Sequence, residues 1–546
     1  MKCSAEKLYL RLNAAVEPLV DRWYAWPHLI APANYARNLA ERHLRIMQSY
    51  VASPQAHADA VRDPRLAGGP FMNFDHHRVE EVAALHEQTV NKRRDLLSLS
   101  SALSDLSRLL DERAQGDSLE PLYEAVPPAL KGFVELVYDL RNQPSYRLFE
   151  SLLYRSSYYP PDAQSLRLHL VSDDSRPFIF STPRLADPDT IDWQVPFDSG
   201  VVDAFFALRT EPRSFGEIAG LLNTTPSEQA TLRSLLTTEK PPIADRYTGP
   251  AVRWKYFGHA CVLIESREMT VLTDPVVSYP FAGASPRLTY ADLPATIDFV
   301  LLTHSHQDHV VLETLLQLRS RIDTIVVPRN SGGALQDPSL ALILRTCGFK
   351  RVIELDEMER VSCGAGFIQS IPFMGEHCDL DIRSKSGWLV ATGGKTLMFM
   401  ADSRALSRDL YRHVHDDTDD IDVLFVGMEC DGAPLSWIYG PLLPQRPLGA
   451  VDRSRRALGS DSSRALSLVE VFRPTEVYVY AMGQEPWLQF ISSIRYDERS
   501  NPIVESNRLI EAARQRGLVA ERLFGQRQQI LSELSENAPR LEAAHG

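Results

Sequence analysis

Three histidines and an aspartate stand within six residues, directly after an apolar run, and this cluster constrains the fold more than any other feature. The run 297–302, Ile-Asp-Phe-Val-Leu-Leu, has the length and composition of a strand. Its end delivers His304 and His306 to one side of a short loop, and Asp308 and His309 to the next turn. Because imidazole and carboxylate groups are common metal ligands, the two pairs predict a site for two metal ions rather than a histidine-rich surface loop.

The overall composition is that of an ordinary globular protein without a broad basic surface. The 546 residues suggest roughly two to four domains, and the net charge of −13 argues against a protein that binds nucleic acid through a basic face. The six cysteines, from Cys3 to Cys430, form no CxxC pair, which favours a reducing compartment. The sequence shows no signal peptide and no run of the ~20 apolar residues that a membrane helix needs, so we expect a cytoplasmic protein without membrane contact.

The first 245 residues predict a mixed, mainly helical α+β domain. Apolar residues recur at helical spacing over 34–52 and 77–114, whereas 165–196 contains short strand-like runs, among them Phe178-Ile179-Phe180. Residues 214–236 resemble two helices joined by a tight turn, but a DNA-binding role is disfavoured because the second helix offers only Arg233 as a base. Proline and glycine between 239 and 250 predict a linker that separates a domain 1–245 from a domain 246–546.

Strand-like runs alternate with helical stretches after this linker, which predicts an α/β architecture of layered sheets and helices. The runs are 252–256, 260–265, 270–273, 297–302, 323–327, 351–355, 366–371, 387–391, 396–400, 421–427 and 476–481. Two runs end in carboxylates that suit a metal site. Asp274 is placed either to orient a ligand histidine through its second ring nitrogen or to form an Asp-Pro turn, and Asp402 suits a bridge between two cations.

The motif HxHxDH at 304–309, with the lead-in segments 256–260 and 272–275, resembles the metallo-β-lactamase superfamily. The resemblance implies an αββα sandwich with a two-metal site on strand ends, but it does not imply the reaction, since the superfamily contains hydrolases, oxygen reductases and oxygenases. Superfamily hydrolases commonly place a histidine directly after a glycine. Here Gly375 is followed by Glu376, with His377 as the competing ligand. Three carboxylates against three histidines favour iron over zinc.

A narrower resemblance covers essentially the whole chain. Segments 372–389, 427–430, 436–442 and 477–487 are similar to diiron β-hydroxylases that act on carrier-bound amino acids, the family of the chloramphenicol-biosynthesis amino-acid β-hydroxylase. This implies a diiron, O₂-dependent monooxygenase that hydroxylates the β-carbon of an amino acid held as a thioester on a nonribosomal peptide synthetase carrier domain, in antibiotic or other secondary-metabolite biosynthesis. It also implies an N-terminal domain for dimerisation and carrier docking, hence a homodimer, and an aromatic amino acid as substrate.

The resemblance further implies a set of metal ligands. The first iron is expected to bind His304, His306 and Glu376. The second iron is expected to bind Asp308 and His309. Asp402 is expected to bridge the two. The terminal histidine that zinc relatives place after the last strand is absent, and the corresponding loop 481–485 leaves a position for O₂, substrate or Glu485. The candidate catalytic residues are Glu376, Asp402 and Glu429. Glu429, at a strand end, is expected either near the metals or along the pocket, and His259 either supports the ligands or packs in the core.

Two further expectations concern partners and an alternative reaction. No GxGxxG segment follows a strand, and no flavin or nicotinamide signature is present, so an external reductase or ferredoxin is expected to supply electrons. The run 453–456, Arg-Ser-Arg-Arg, either contacts an acidic carrier or its phosphopantetheine, or begins a solvated helix. The main alternative is a dizinc hydrolase of the same fold, thioesterase-like or lactamase-like, in which zinc activates water. Metal analysis distinguishes the two.

Overall fold

Two seven-stranded β-sheets form the centre of the C-terminal half of the chain, in a computed structural model that describes residues 6–531. Cys3 lies outside this range. The first sheet has, in spatial order, the strands Val352–Leu355, Ile322–Pro328, Ile297–Leu301, Thr270–Thr273, Cys261–Glu265, Val252–Gly258 and Arg527–Leu531. The second sheet has, in spatial order, the strands Arg360–Cys363, Gly366–Ile371, Gly387–Thr392, Lys395–Phe399, Val423–Gly427, Glu476–Tyr480 and Val519–Arg522.

The two sheets pack face to face, and helices cover their outer faces, which confirms the predicted αββα sandwich. Between the sheets, the Trp254 ring of the first sheet meets the Phe425 ring of the second edge to face, with 5.3 Å between centroids. The helices Leu312–Leu318 and Leu340–Thr346 cover the first sheet, and Arg408–Thr418, Ser462–Phe472 and Asn501–Gln515 cover the second. Three short helices lie in the remaining loops: Leu435–Tyr439, Gly449–Ser454 and Gln489–Ser492.

Each sheet has a parallel half, and the carboxyl ends of these parallel strands meet at one edge of the sandwich. Parallel strands are buried on both faces and therefore read as continuous apolar runs, as in Val423–Gly427, which is buried at every position. The backbone turns sharply at several loops along this edge, after parallel and antiparallel strands alike. His259, Asp274, Glu376 and Ala401 all have positive φ values, of 52°, 32°, 69° and 40°. Because non-glycine residues rarely adopt this conformation, the strained turns mark this edge as the functional one.

The N-terminal part of the chain packs on the outer face of the first sheet. Its main sheet has the order Trp23–Tyr24, Ala14–Val20, Gln164–Leu170, Ile191–Gln194, beside a small sheet of Arg213–Ser214, Lys7–Leu10 and Leu236–Thr237 and a hairpin of Val134–Tyr138 and Pro144–Leu148. Its helices are Pro27–Ile30, Pro32–Asn38, the π-helix Leu39–His43, Leu44–Ala52, Pro54–Arg62, Val79–Lys92, Arg94–Arg113, Glu150–Leu153, Gly200–Phe206, Phe215–Leu222 and Gln229–Ser234. One continuous apolar core runs through this part and the covering helices of the first sheet.

The predicted elements agree with the structure except in a few places. All eleven predicted strands of the C-terminal half are present, whereas Arg360–Cys363, Val519–Arg522 and Arg527–Leu531 were missed because they are short and half exposed. The predicted strand Phe178-Ile179-Phe180 is wrong, since this segment is a turn whose aromatic rings pack on neighbouring rings. The five cysteines within residues 6–531 are free thiols. None of the helices in this range is long and apolar enough to cross a bilayer.

Candidate metal centre

The loop after the strand Ile297–Leu301 carries the four residues of the predicted motif, and all four side chains are buried. Val310 N donates to His306 O at 3.0 Å, which closes a turn directly before the helix Leu312–Leu318. The turn gathers the three imidazole rings: the His304 centroid lies 4.7 Å from that of His306 and 4.1 Å from that of His309. The predicted convergence of the motif residues at one strand end is therefore present.

Thr303 and Asp274 determine which nitrogen of His304 and His309 faces the centre. The Thr303 hydroxyl donates to Asp274 Oδ2 at 2.7 Å and therefore accepts from His304 Nδ1 at 3.0 Å. His309 Nδ1 donates to the same Asp274 oxygen at 2.8 Å. We assign the proton of both rings to Nδ1, which leaves the lone pair of Nε2 for a metal ion. The prediction that Asp274 orients a ligand histidine agrees with this contact.

His306 is held in the opposite orientation. Its Nε2 lies 2.8 Å from the Tyr439 hydroxyl, so Nδ1 faces the centre, 2.7 Å from Glu376 Oε1 and 3.1 Å from His304 Nε2. The contact of Tyr439 with His306 was not predicted from the sequence. No local sequence signal could have revealed it, since Tyr439 lies 133 residues downstream on another element.

Zinc relatives carry a terminal histidine in the loop 481–485. In this chain, backbone amides of that loop donate hydrogen bonds to His259. Ala481 N donates to His259 O at 2.8 Å, and Gly483 N donates to His259 Nδ1 at 3.2 Å. With Nδ1 as an acceptor, the proton of the neutral ring lies on Nε2, which is 3.5 Å from Asp308 Oδ2 and 3.2 Å from His309 Nε2. A protonated nitrogen cannot bind a metal ion. His259 therefore takes the supporting role, one of the two that the sequence left open.

Glu376 and Asp402 approach the histidines from the second sheet. Asp402 Oδ2 lies 3.0 Å from His309 Nε2 and 3.8 Å from His304 Nε2, so this carboxylate is close to two of the three motif histidines. Glu376 Oε2 lies 3.9 Å from His304 Nε2. Three groups of side chains bring their ligand atoms within 4.8 Å of one another: His304, His306, Glu376 and His377; His259, Asp308 and His309; and His304, His309 and Asp402.

His377, the competing ligand, lies directly beside Glu376. Its Nδ1 is 2.8 Å from Glu376 Oε2, and its ring faces that of His306 with 4.7 Å between centroids. His377 Nε2 is buried and, within residues 6–531, has no hydrogen-bond partner. The geometry thus keeps both residues within reach of the first metal position.

The donor set fits two metal ions. Asp402 Oδ1 is buried and has no hydrogen-bond partner in the described part of the chain, an arrangement that costs free energy unless a cation is present. Burial, together with His309, lowers the pKa of His304 well below its ordinary value, so this ring is neutral and ready to bind a cation. Burial alone would raise the pKa of Glu376, but His306 and His377 hold it well below its usual range. Mixed imidazole and carboxylate ligands suit iron.

A cavity of about 490 Å³ opens onto this centre. Asp308, Glu376 and Asp402 line its inner end, and Glu429 lines its wall. Residues 65–71 of the N-terminal part form another wall, where Gly68 O accepts a hydrogen bond of 2.9 Å from Trp437 Nε1. Trp437 itself also lines the cavity. The contribution of residues 65–71 was missed, because nothing in the sequence relates that segment to the metal ligands.

Glu485, Trp487 and Arg456 lie in three different environments near the centre. The carboxyl group of Glu485 accepts a hydrogen bond of 2.5 Å from the Tyr256 hydroxyl, and Glu485 belongs to none of the ligand groups found in residues 6–531. Trp487 stacks against the Arg287 guanidinium at 4.4 Å and does not line the cavity. Arg456 of the basic run lines the cavity and pairs with Asp431 at 3.2 Å.

Comparison with known proteins agrees with this geometry. Residues 9–241 match the family model described as diiron non-heme beta-hydroxylase N-terminal domain, and residues 253–433 match the beta-lactamase superfamily domain. Over 523 residues the chain is 39% identical to the 4-amino-L-phenylalanyl-[CmlP-peptidyl-carrier-protein] 3-hydroxylase of Streptomyces venezuelae, covering 94% of this chain and 98% of that protein. The crystal structure of CmlA, a diiron beta-hydroxylase from Streptomyces venezuelae, matches with a TM-score of 0.91 and 38% identity, covering 97% of this chain and 100% of that chain.

Similarity to metal-dependent hydrolases covers a smaller share of the chain. A metal-dependent hydrolase of Pyrobaculum calidifontis is 41% identical, but over only 56 residues, which are 10% of this chain and 24% of that protein. The fold and the site define a metalloenzyme of the metallo-β-lactamase superfamily with ligands for two metal ions. The agreement over nearly the whole chain is more specific: the chain belongs to the diiron non-heme β-hydroxylase family. The prediction of a diiron monooxygenase is confirmed, and the dizinc hydrolase alternative is not supported.

Proposed function

We propose that this enzyme hydroxylates the β-carbon of an amino acid tethered as a thioester to a carrier domain of a nonribosomal peptide synthetase, in antibiotic biosynthesis. The Streptomyces venezuelae relative, which acts on a 4-amino-L-phenylalanyl group carried by a peptidyl carrier protein, supports this substrate class. The observation that carries the proposal in this chain is the cavity of about 490 Å³ that ends on the clustered histidines and carboxylates. A side chain delivered on a flexible arm enters such a cavity with its β-carbon next to the ligands.

The walls of the cavity favour an aromatic amino acid. Phe71, Trp437, Ile438 and Ile494 line it, so a ring entering from the mouth meets flat and branched apolar surfaces before it reaches the polar inner end. Binding sites of this type enclose an apolar body between apolar walls and fix its orientation with a few polar groups. We therefore propose a phenylalanine-like side chain.

The mouth of the cavity suits the carrier domain. Arg65 and Arg456 line the cavity, and an anionic phosphate at the root of a pantetheine arm is attracted to guanidinium groups. Leu448 and Val451 are 78% and 40% exposed, on or next to the helix Gly449–Ser454. This helix is fastened to the cavity wall because Asp452 accepts hydrogen bonds from Ser436 N and Oγ. Exposed apolar side chains beside basic ones are typical of a docking surface.

The proposed metal ligands are those expected from the sequence. His304, His306 and Glu376 are proposed to bind the first iron, and Asp308 and His309 the second. Asp402 is proposed to bind both. When bound, the iron pair would supply the reduction of O₂: one oxygen atom would be inserted into the C–H bond of the substrate, and the other would be released as water, with two electrons from an external reductase or ferredoxin and two protons. The chain itself holds the ligands in place through Asp274, Tyr439 and His259, and keeps their lone pairs directed at the centre.

We also propose a cellular location and an oligomeric state. The five free cysteines of residues 6–531 fit a reducing, cytoplasmic location. Exposed Leu140, Phe149 and Leu152, all on the N-terminal part, are candidates for a homodimer contact. Light scattering during gel filtration measures this association directly, and a single peak at the monomer mass contradicts it.

The test of the function is a mass measurement on a charged carrier. The protein is loaded anaerobically with ferrous iron, its iron content is measured, and it is mixed with O₂, a reductant and a carrier domain bearing 4-amino-L-phenylalanine or L-phenylalanine. We expect the carrier-bound group to gain one oxygen atom, derived from labelled O₂, at the β-carbon. The same charged carrier without O₂, and the free amino acid with O₂, serve as controls.

Two outcomes contradict the proposal. If no oxygen is added to any aminoacyl carrier by protein that contains two iron ions, the substrate class is wrong. If the zinc-loaded protein releases the free amino acid from the carrier, the thioester-hydrolase alternative is favoured instead.

A further inference from the structure

Glu429 is an unpaired carboxylate on the wall of the substrate cavity. It follows the strand Val423–Gly427, and so lies at the carboxyl end of the parallel strand next to the one that precedes Asp402. Within residues 6–531, no side chain forms an ion pair or hydrogen bond with its carboxylate. Its position is fixed by the backbone, since Glu429 O accepts a hydrogen bond of 2.8 Å from Gly459 N.

Glu429 is not accounted for by the metal centre. It belongs to none of the three groups of ligand atoms within 4.8 Å of one another that the described residues form. The two arginines that line the same cavity are already paired, Arg65 with Asp63 at 2.6 Å and Arg456 with Asp431 at 3.2 Å. Neither arginine of the cavity is therefore paired with Glu429.

A polar group close to Glu429 also lacks a partner. The Tyr496 hydroxyl, close enough for Glu429 to affect its pKa, is buried and has no hydrogen-bond partner in the described part of the chain. A buried polar group without a partner is costly unless a ligand supplies one.

An aminoacyl thioester brings one positive charge that every amino acid shares. Its carboxyl group is consumed by the thioester, so the α-amino group, with an ordinary pKa of about 7.7–8.0, remains as an ammonium ion at neutral pH. We propose, on the basis of the function proposed above, that Glu429 binds the α-ammonium group of the carrier-bound amino acid. Glu429 is then a positioning residue for the β-carbon.

Binding of the ammonium group explains how the reaction is confined to one carbon. The β-carbon is bonded directly to the α-carbon, which carries both the ammonium group and the thioester carbonyl. Glu429 then holds the ammonium group, and the pantetheine arm holds the thioester carbonyl. The β-carbon can therefore turn its hydrogens only by rotation about the bond between the α-carbon and the β-carbon. The apolar walls at Phe71 and Trp437 then decide which β-hydrogen faces the metal ligands.

Affinity measurements test this proposal without turnover. The iron-loaded protein is titrated under nitrogen, by calorimetry, with the pantetheine amide of 4-amino-L-phenylalanine and with that of 3-(4-aminophenyl)propionate, which lacks the α-amino group. Hydrogen bonds to charged groups contribute about 1.5–3 kcal/mol, so we expect the amino ligand to bind about 10- to 150-fold more tightly. In Glu429→Gln this preference falls to near unity, whereas Glu429→Asp retains part of it.

The matched control is Asp431→Asn, which removes a carboxylate of the same cavity whose partner is Arg456. It is expected to leave the preference for the amino ligand unchanged. Equal binding of the two ligands by the wild-type protein overturns the proposal without any variant, which covers the case in which Glu429→Gln does not fold. An equal loss of affinity for both ligands in a folded Glu429→Gln protein with two iron ions also overturns it. Failure of every charged carrier in the hydroxylation assay is a separate result, which refutes the proposed function.

Discussion

A buried network of charges joins the N-terminal part to the helix that follows the metal motif, and Glu17→Gln tests its contribution. Glu17, on the strand Ala14–Val20, accepts from Arg184 Nε at 2.8 Å and from Arg176 Nε at 2.9 Å. Arg176 also donates to Glu313 Oε2 at 2.7 Å, and the Tyr24 hydroxyl donates to the same oxygen at 2.9 Å. Two carboxylates therefore balance two guanidinium groups where solvent hardly reaches.

The magnitude follows from the loss of one charge at constant shape. Glu17→Gln leaves Arg176 and Arg184 with one carboxylate between them, and breaking a buried ion pair in this way costs about 3–5 kcal/mol. The entropy of unfolding is about 2 cal/mol/K per residue, which for 546 residues is about 1.1 kcal/mol/K. If the chain unfolds as a unit, the expected fall in Tm is therefore about 3–4 °C.

Differential scanning calorimetry measures this shift, with Asp323→Asn as the matched control. Asp323 pairs with Arg351 at a similar distance, 2.7 Å, but both side chains are more than half exposed. Exposed pairs contribute about 0–1 kcal/mol, so the control should lower Tm by less than about 1 °C. If Glu17→Gln and Asp323→Asn lower Tm equally, the buried network does not stabilise the fold and the reasoning is wrong.

The effect has a definite pH dependence. Burial alone would raise the pKa of Glu17, but Arg184, Arg176 and His169 hold it well below its usual range. A carboxyl group with a depressed pKa stabilises the fold above its unfolded pKa of about 4.3, and this contribution is lost as the pH falls through the folded pKa. The difference in Tm between wild type and Glu17→Gln should thus be constant from about pH 8 to pH 5 and narrow only below about pH 4.

Three further predictions concern iron binding, measured as iron content by mass spectrometry after dialysis against a chelator. Glu376→Ala should lose at least one of the two iron ions while His377→Ala keeps both, and the reverse result makes His377 the ligand. Asp274→Asn should weaken iron binding about 10- to 100-fold, because the amide can donate to His309 Nδ1 and displace its proton to Nε2; unchanged affinity contradicts the assigned tautomer. Tyr439→Phe should also weaken it, about 10-fold, since His306 Nε2 loses its partner, and a rise in affinity refutes this role.

The sandwich and the ligand motif could be predicted from sequence because they depend on local patterns. Apolar runs such as 297–302 and 421–427 are strands buried on both faces, and such strands need no distant information to be recognised. The motif at 304–309 lies within one loop, so its spacing alone brings its side chains together. Asp274, Glu376 and Asp402 follow predicted strands, and the shared edge of the sheets makes them neighbours.

The remaining parts of the site depend on contacts that no local pattern encodes. His259 and Tyr439 reach the motif from other loops, and the choice between ligand and support for His259 depends on a proton, which is set by the amide of Gly483. Residues 65–71 are held at the cavity by a hydrogen bond from Trp437 Nε1 to Gly68 O, between residues that are far apart in the sequence. The prediction of a strand at 178–180 was wrong for a related reason. The aromatic rings of this segment pack on neighbouring aromatic side chains, and the segment has no strand partner.

The structure also bears on what the N-terminal part contributes to the chemistry. The helix Leu312–Leu318 begins three residues after His309 and is buried at every position, although a helix on the surface of a sandwich normally exposes one face. Its outer face is covered by the N-terminal part, to which Glu313 is joined through Arg176 and the Tyr24 hydroxyl. The turn that carries Asp308 and His309 is therefore held between this helix and the sheet. We infer that the proposed boundary at residue 245 separates two regions of sequence but not two independent folding units, because a chain beginning there would expose this helix and loosen the turn that presents Asp308 and His309.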